Sequence, residues 1–215
     1  MKLALLRHGP TEWNVLGRIQ GHTDIPLSDA GRAKMAALRL PDALAPARIF
    51  SSPMLRARQT AEALGFSNPV LDARLMEQNW GQWEGLTRAQ ILERHGANAF
   101  EKAGAARREE FRPLGGESTG ELHARVANFL QDVSRGEADA VAVAHLGVLA
   151  RGLYPGQRLG DGCAHAGATG CVAHPASVAG AGRGARHCRT QSGIHASLAP
   201  HQPHVQKGVK PRNVL

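Results

Sequence analysis

Two histidines and two arginines at the ends of apolar runs are the residues of this 215-residue chain with most to offer chemically. Arg7 and His8 close the run Lys2-Leu3-Ala4-Leu5-Leu6 and precede Gly9, His145 closes the run DAVAVA over 139–144, and Arg56 lies just past Ile49-Phe50-Ser51. Two imidazoles and two guanidiniums with few acids describe a site for a small dianion. Phosphate is the obvious candidate, because a guanidinium matches it with paired hydrogen bonds. A neutral imidazole attacks phosphorus through one ring nitrogen if a backbone carbonyl holds the proton on the other. Transfer then divides into formation and hydrolysis of a phosphohistidine. The leaving alkoxide needs an acid.

These side chains meet only if the elements carrying them share an edge. Lys2–Leu6, Ala47–Ser51 and Asp139–Ala144 read as buried strands, with a weaker strand within Asn68–Leu75. Between them, Ser28 caps a helix whose apolar positions are Ala33, Ala36, Ala37 and Leu40, and Pro41 ends it. Ser52 and Pro53 read as N-cap and first position of a helix over Met54–Leu64, adding backbone donors for an anion. Thr87 caps a helix to His95 closed by Gly96, and Ser118-x-x-Glu121 opens one with the stripe Leu122, Val126, Phe129, Leu130 and Val133. The stretch 97–116 shows no assignable pattern. Strands alternating with helices predict an α/β fold, a mostly parallel sheet flanked by helices, whose strand ends bring His8, Arg56 and His145 together.

The motifs around these residues resemble the histidine phosphatase superfamily, the phosphoglycerate mutase-like proteins. LRHGPTEWN is similar to its signature, SSPMLRARQTAE to its second arginine motif, MEQNWGQWEG to its acid loop, GGES to the start of a later helix and AHLGV to its second-histidine motif. The five occur in the family's order. The resemblance implies that His8 is the phosphorylated nucleophile and that Arg7, Arg56 and His145 bind the phosphoryl oxygens with help from Asn14. It implies that Glu77 is the proton donor and later the base, and that neither a metal nor a cofactor is needed. Gln20 and Gly21, in the glycine-punctuated loop 17–27, are further substrate-binding candidates. Only the 67 residues 78–144 separate Glu77 from His145, which favours a compact phosphatase of a small phosphomonoester over a mutase. The acid loop NWGQWEG resembles the short phosphatases, including α-ribazole phosphatase. Mutase-type phosphoryl transfer and a binding protein without turnover are the alternatives.

Composition changes near residue 150. From Pro155 onward there are seven Lys/Arg against Asp161 alone, so that segment carries +6 of the net +8. It also holds Cys163, Cys171 and Cys188, six histidines, and no Phe, Trp or Tyr. Lacking C-x-x-C spacing it does not read as a zinc site, and lacking aromatic residues it does not read as a specific nucleic-acid binder. We divide the chain into a phosphatase domain over 1–150, incomplete at its C-terminus, and a basic, irregular tail over 151–215. A shift of reading frame near Leu149 to Tyr154 would account for the change, and an out-of-frame tail is the expectation for this segment. No apolar run approaches the ~18 residues of a membrane helix, and the stretch before Arg7 is too short for a signal peptide, so a cytoplasmic protein is expected. The oligomeric state is not legible.

Blander readings apply to several residues. His22 reads as plain loop polarity, His95 and His123 as solvated helix faces, Glu12 and Glu84 as rivals of Glu77 of which Glu84 is a surface or cap residue, and Trp80 and Trp83 as packing residues.

Overall fold

The computed structural model describes residues 2–44, 47–106, 108–152 and 170–173. In chain order the elements are β1 (Leu3–Arg7), α1 (Glu12–Val15), α2 (Asp29–Ala37), β2 (Arg48–Ser51), α3 (Leu55–Ala63) and β3 (Val70–Leu71). They continue with α4 (Arg88–His95), α5 (Ala99–Lys102), α6 (Thr119–Ser134), β4 (Ala140–Ala144), α7 (Leu146–Gly152) and β5 (Gly170–Ala173). Among the described residues no helix is long and apolar enough to cross a membrane.

The sheet runs β3-β2-β4-β1-β5. β1, β4, β2 and β3 are mutually parallel, with Leu3 opposite Ala140 and Arg48 opposite Ala140 on the other side. Alternate residues of β1 and β4 serve opposite faces, as the two-residue period of a strand requires. Leu3, Leu5, Ala140, Ala142 and Ala144 pack under α6 and α7, against Leu122, Val126, Phe129 and Val148. Ala4, Leu6, Val141 and Val143 pack under α3, against Ala57 and Ala61. Burial on both faces explains why these strands are apolar throughout rather than alternating. Each fully buried Val or Leu contributes about 1.5–3 kcal/mol. Alanines in β4 leave room for the large stripe of α6, whose capping box on Ser118 and Glu121 forms as the spacing predicts.

Four local expectations change. Helix α2 buries Gly31 and Met35, not the alanines: Gly31 lies against the carbonyl of Pro10, and that close approach sets which side turns inward. Helix α3 starts two residues later than Ser52-Pro53 suggests; its N-cap is Met54 without a side-chain bond, and the N–H of Leu55 donates to Asp24 instead. The weak strand shrinks to Val70–Leu71, because Asp72 turns the chain by accepting from the N–H of Arg74. Within the region read as irregular, β5 pairs antiparallel with β1, Leu3 opposite Ala173 and Leu6 opposite Gly170, so the sheet is not parallel at that edge. The remaining tail, 153–169 and 174–215, and the proposed frame junction beyond Gly152 lie outside the described residues.

Candidate active site

β1, β4 and β2 are neighbours, so the residues that follow them emerge side by side at one sheet edge, where open α/β sheets bind ligands. The N–H of His8 donates to Ala144 O (2.9 Å) and that of Ser52 to Val143 O (2.9 Å), extending the ladder one step past each strand. The rings of His8 and His145 lie 5.1 Å apart between centroids, close to one strand spacing.

His8 is buried, and its Nδ1 lies 2.7 Å from the carbonyl oxygen of Gly9. A carbonyl only accepts, so Nδ1 carries the proton and Nε2 keeps its lone pair. Gly9 is held in turn by Thr60 Oγ1, which accepts its N–H at 2.9 Å. Burial, then the positive charges of Arg56 and Arg7, lower the His8 pKa to about 3 against the pull of the Gly9 carbonyl. His145 is fully buried, with Nε2 2.9 Å from Ser52 Oγ and Nδ1 unpartnered among the described residues. Burial and the neighbouring Arg56 hold it well below the usual imidazole range.

The buried guanidinium of Arg56 donates to Gly21 O (2.8 Å) and Thr23 O (3.1 Å), while its Nε has no partner among the described residues. Burial lowers its pKa, opposed by the charges of Glu77, Asp24 and Glu84. Arg7 Nε is likewise buried and unpartnered among the described residues. Orphaned buried N–H donors on two cations are costly unless an acceptor completes them, and an anion does so.

Glu77, half-buried, faces this cluster from the acid loop. Its Oε1 accepts from the N–H of Gln78 (2.9 Å) and its Oε2 from that of Gly147 (3.1 Å). Burial nevertheless raises its pKa, against those bonds and the charges of Arg56 and Arg125. A Cβ on Gly147 would collide with Oε1, so the second-histidine motif needs glycine there to admit the Glu77 carboxylate.

Asn14 Oδ1 accepts from Thr11 N and lies 3.0 Å from Thr11 Oγ1, so only its amide nitrogen is available to a substrate. Gln20 Oε1 lies 3.0 Å from the same hydroxyl. Gly21 serves Arg56 through its carbonyl, and no side chain fits beside Glu84.

Several residues that hold the site are not marked by type or spacing. Glu84 is the cap residue of the two alternatives, half-buried: its carboxylate accepts from the N–H groups of His22 (2.8 Å), Thr23 (2.7 Å) and Trp80 (3.1 Å) and from Thr23 Oγ1 (2.6 Å). Burial would raise its pKa, but these bonds bring it below the usual carboxylate range. His22 is more than loop polarity, since its Nε2 donates to Glu77 O at 3.1 Å. Arg125 and Glu117, on and before α6, grip the acid loop. The polar loop segment Gly17–Leu27 carries a faint signal of such bracing, but carbonyl acceptors leave no trace in a sequence. Trp83 is buried among Phe100, Phe111 and Ile91, the packing role expected of it, and His123 is half-buried beside Glu109.

Two neutral buried histidines make the fold acid-labile. His8 titrates near 6.5 when unfolded and about 3 when folded, so between these values the unfolded chain binds the extra proton. Its contribution is present above pH 6.5 and is lost as pH falls toward 3, by about 1.4 kcal/mol per pH unit. Resistance to urea is expected to fall from pH 7 to pH 5, with a shallower dependence on pH in His8→Asn; equal slopes in both proteins would contradict this.

Among known families, the model of the histidine phosphatase superfamily (branch 1) matches residues 3–154. The glucosyl-3-phosphoglycerate phosphatase of Mycobacterium tuberculosis is 35% identical over 164 residues, covering 69% of this chain and 72% of that protein. The metal-independent phosphoserine phosphatase of Arabidopsis thaliana is 31% identical over 162 residues, covering 71% and 67%. Among solved structures, a phosphoglycerate mutase from Thermus thermophilus superimposes with a TM-score of 0.60 at 38% identity, covering 74% of this chain and 86% of that one.

Proposed function

The chain belongs to the histidine phosphatase superfamily, and from that membership we propose that it hydrolyses a small phosphomonoester through a phosphohistidine at His8. One observation carries the reading. The proton of His8 is committed to Gly9 O while Arg7, Arg56 and His145 beside it each keep a buried side-chain nitrogen unpartnered among the described residues, which supports a nucleophile and an anion site in one place.

The substrate dianion docks on Arg7, Arg56 and His145. Nε2 of His8 attacks phosphorus, the bond to the ester oxygen breaks, and the Glu77 carboxyl gives its proton to the departing alkoxide. The Glu77 carboxylate then takes a proton from water, the hydroxide oxygen bonds to phosphorus, the P–N bond breaks, and phosphate leaves with His8 neutral again. Fixed positive charge around the transferring group supplies most of the stabilisation such a transition state needs. The arginines fill the place a metal would otherwise take, and the name of the Arabidopsis relative supports metal independence. For the organic part, the acid-loop resemblance points to α-ribazole phosphate and the mycobacterial relative to glucosyl-3-phosphoglycerate.

p-Nitrophenyl phosphate should be hydrolysed at a rate unchanged by EDTA. Mixing with labelled substrate and quenching in alkaline detergent should trap label in an acid-labile, alkali-stable linkage. Label bound through an acid-stable ester, or activity abolished by EDTA, would overturn the reading.

A further inference from the structure

The guanidinium of Arg125 lies close enough to the site to act on His145 electrostatically, yet it has nothing left to offer an anion. Its Nε donates to Glu117 Oε1 (2.7 Å), one terminal nitrogen to Arg74 O (2.8 Å) and Met76 O (2.6 Å), and the other to Glu77 O (3.0 Å) and Glu117 Oε2 (2.9 Å). All five N–H donors of the planar fork are spent, whereas Arg7 and Arg56 each keep a buried Nε without a partner among the described residues. Arg125 and Glu117 are both largely buried, with side-chain exposures of 20% and 15%.

Three of the acceptors are backbone carbonyls, that of Arg74 in the 3-10 turn Ala73–Leu75 and those of Met76 and Glu77 at the start of the acid loop, where the chain has left regular structure and must find partners elsewhere. Glu117 extends the grip: its backbone N–H donates to Asn79 O (2.9 Å) and its carbonyl accepts from Gln78 Nε2 (2.9 Å). The carbonyl of Glu77 itself is held by Arg125 on one side and His22 on the other. The backbone from which the Glu77 carboxyl projects is thus tied to α6, a helix fixed by its own capping box.

We propose that Arg125, braced by Glu117, is a positioning residue that sets the reach of the Glu77 carboxyl to the leaving group and does not bind phosphate. The proposal rests on the reading of Glu77 as the acid. A displacement of about 1 Å of a catalytic group costs up to about 100-fold in rate.

Leaving-group dependence separates this role from a merely structural one. Nitrophenolate departs without a proton, whereas glycerol 2-phosphate needs the acid, and kcat/KM reports steps up to ester cleavage. Arg125→Met is expected to lose about 30-fold in kcat/KM on glycerol 2-phosphate and less than about 5-fold on p-nitrophenyl phosphate. The inhibition constant for inorganic phosphate should stay unchanged. Arg125→Lys and Glu117→Gln should show the same selective loss to a smaller degree, and they carry the test if Arg125→Met fails to fold by circular dichroism. Glu77→Gln serves as the reference. Equal losses on both substrates in folded variants, or a weakened phosphate affinity, overturn the positioning role while a selective loss in Glu77→Gln preserves the acid. If Glu77→Gln shows no selectivity, the acid reading falls and the role of Arg125 with it.

Discussion

His8→Ala is expected to lower kcat by about 10⁴-fold or more, as removal of a covalent nucleophile does in enzymes that work through one. No neighbouring group can substitute. His145 is the nearest imidazole, but its Nε2 is engaged with Ser52 and its ring is wholly removed from solvent. The trapped, acid-labile label must vanish with the activity. Folding of the variant is read separately, from the rise in melting temperature on adding inorganic phosphate, because Arg7, Arg56 and His145 are untouched. Turnover within about tenfold of wild type would remove the phosphohistidine from the mechanism.

Glu77→Gln should lower kcat/KM on alkyl phosphates by about 10²–10⁴-fold, the usual worth of a positioned general acid. The pH dependence gives a second signature. Burial raises the Glu77 pKa, so the protonated acid persists above the ordinary carboxylate range. As pH climbs through that raised value the acid is lost and kcat/KM on alkyl phosphates falls. Glutamine does not titrate, so the falling limb should flatten in the variant. On the other side His8, with a pKa of about 3, stays neutral and nucleophilic across the working range. A variant that keeps the wild-type limb would assign it to another group, with Glu84 excluded by its fully engaged oxygens.

Both predictions concern residues that the sequence itself makes legible. A histidine at a strand's end leaves a local mark: an unbroken apolar run, then Arg7-His8-Gly9, reports strand, rim and turn within a few residues. Helix α6 is equally legible, because a capping box and a stripe at positions 122, 126, 129, 130 and 133 are short-range patterns. The buried face of α2 is not, because its alanines fit the period while contact of Gly31 with Pro10 decides the phase. Nor is the start of α3, because Ser52 Oγ accepts the N–H of Met54 (3.3 Å) as a cap would but also lies against His145, 93 residues away, and the helix begins only at Leu55.

Arg125, Glu117 and Glu84 are hidden for a related reason. Glu117 and Glu84 lie inside quoted motifs and Arg125 on a helix without any bracing role legible in them, and each works through backbone N–H or carbonyl groups, which almost every residue possesses and no letter of the sequence marks. What the sequence alone determined is the set of chemically capable groups, the strands that deliver them and the family they belong to, all written in local periodicity and short motifs. The tertiary structure alone decided which carboxylate is held against the N–H of Gly147, which arginines keep unpartnered donors among the described residues and which spend them all, and how the glycine loop and acid loop brace each other. Those outcomes depend on contacts between residues 33–70 positions apart in the chain, where folding converts a charge of known type into a partner of known position.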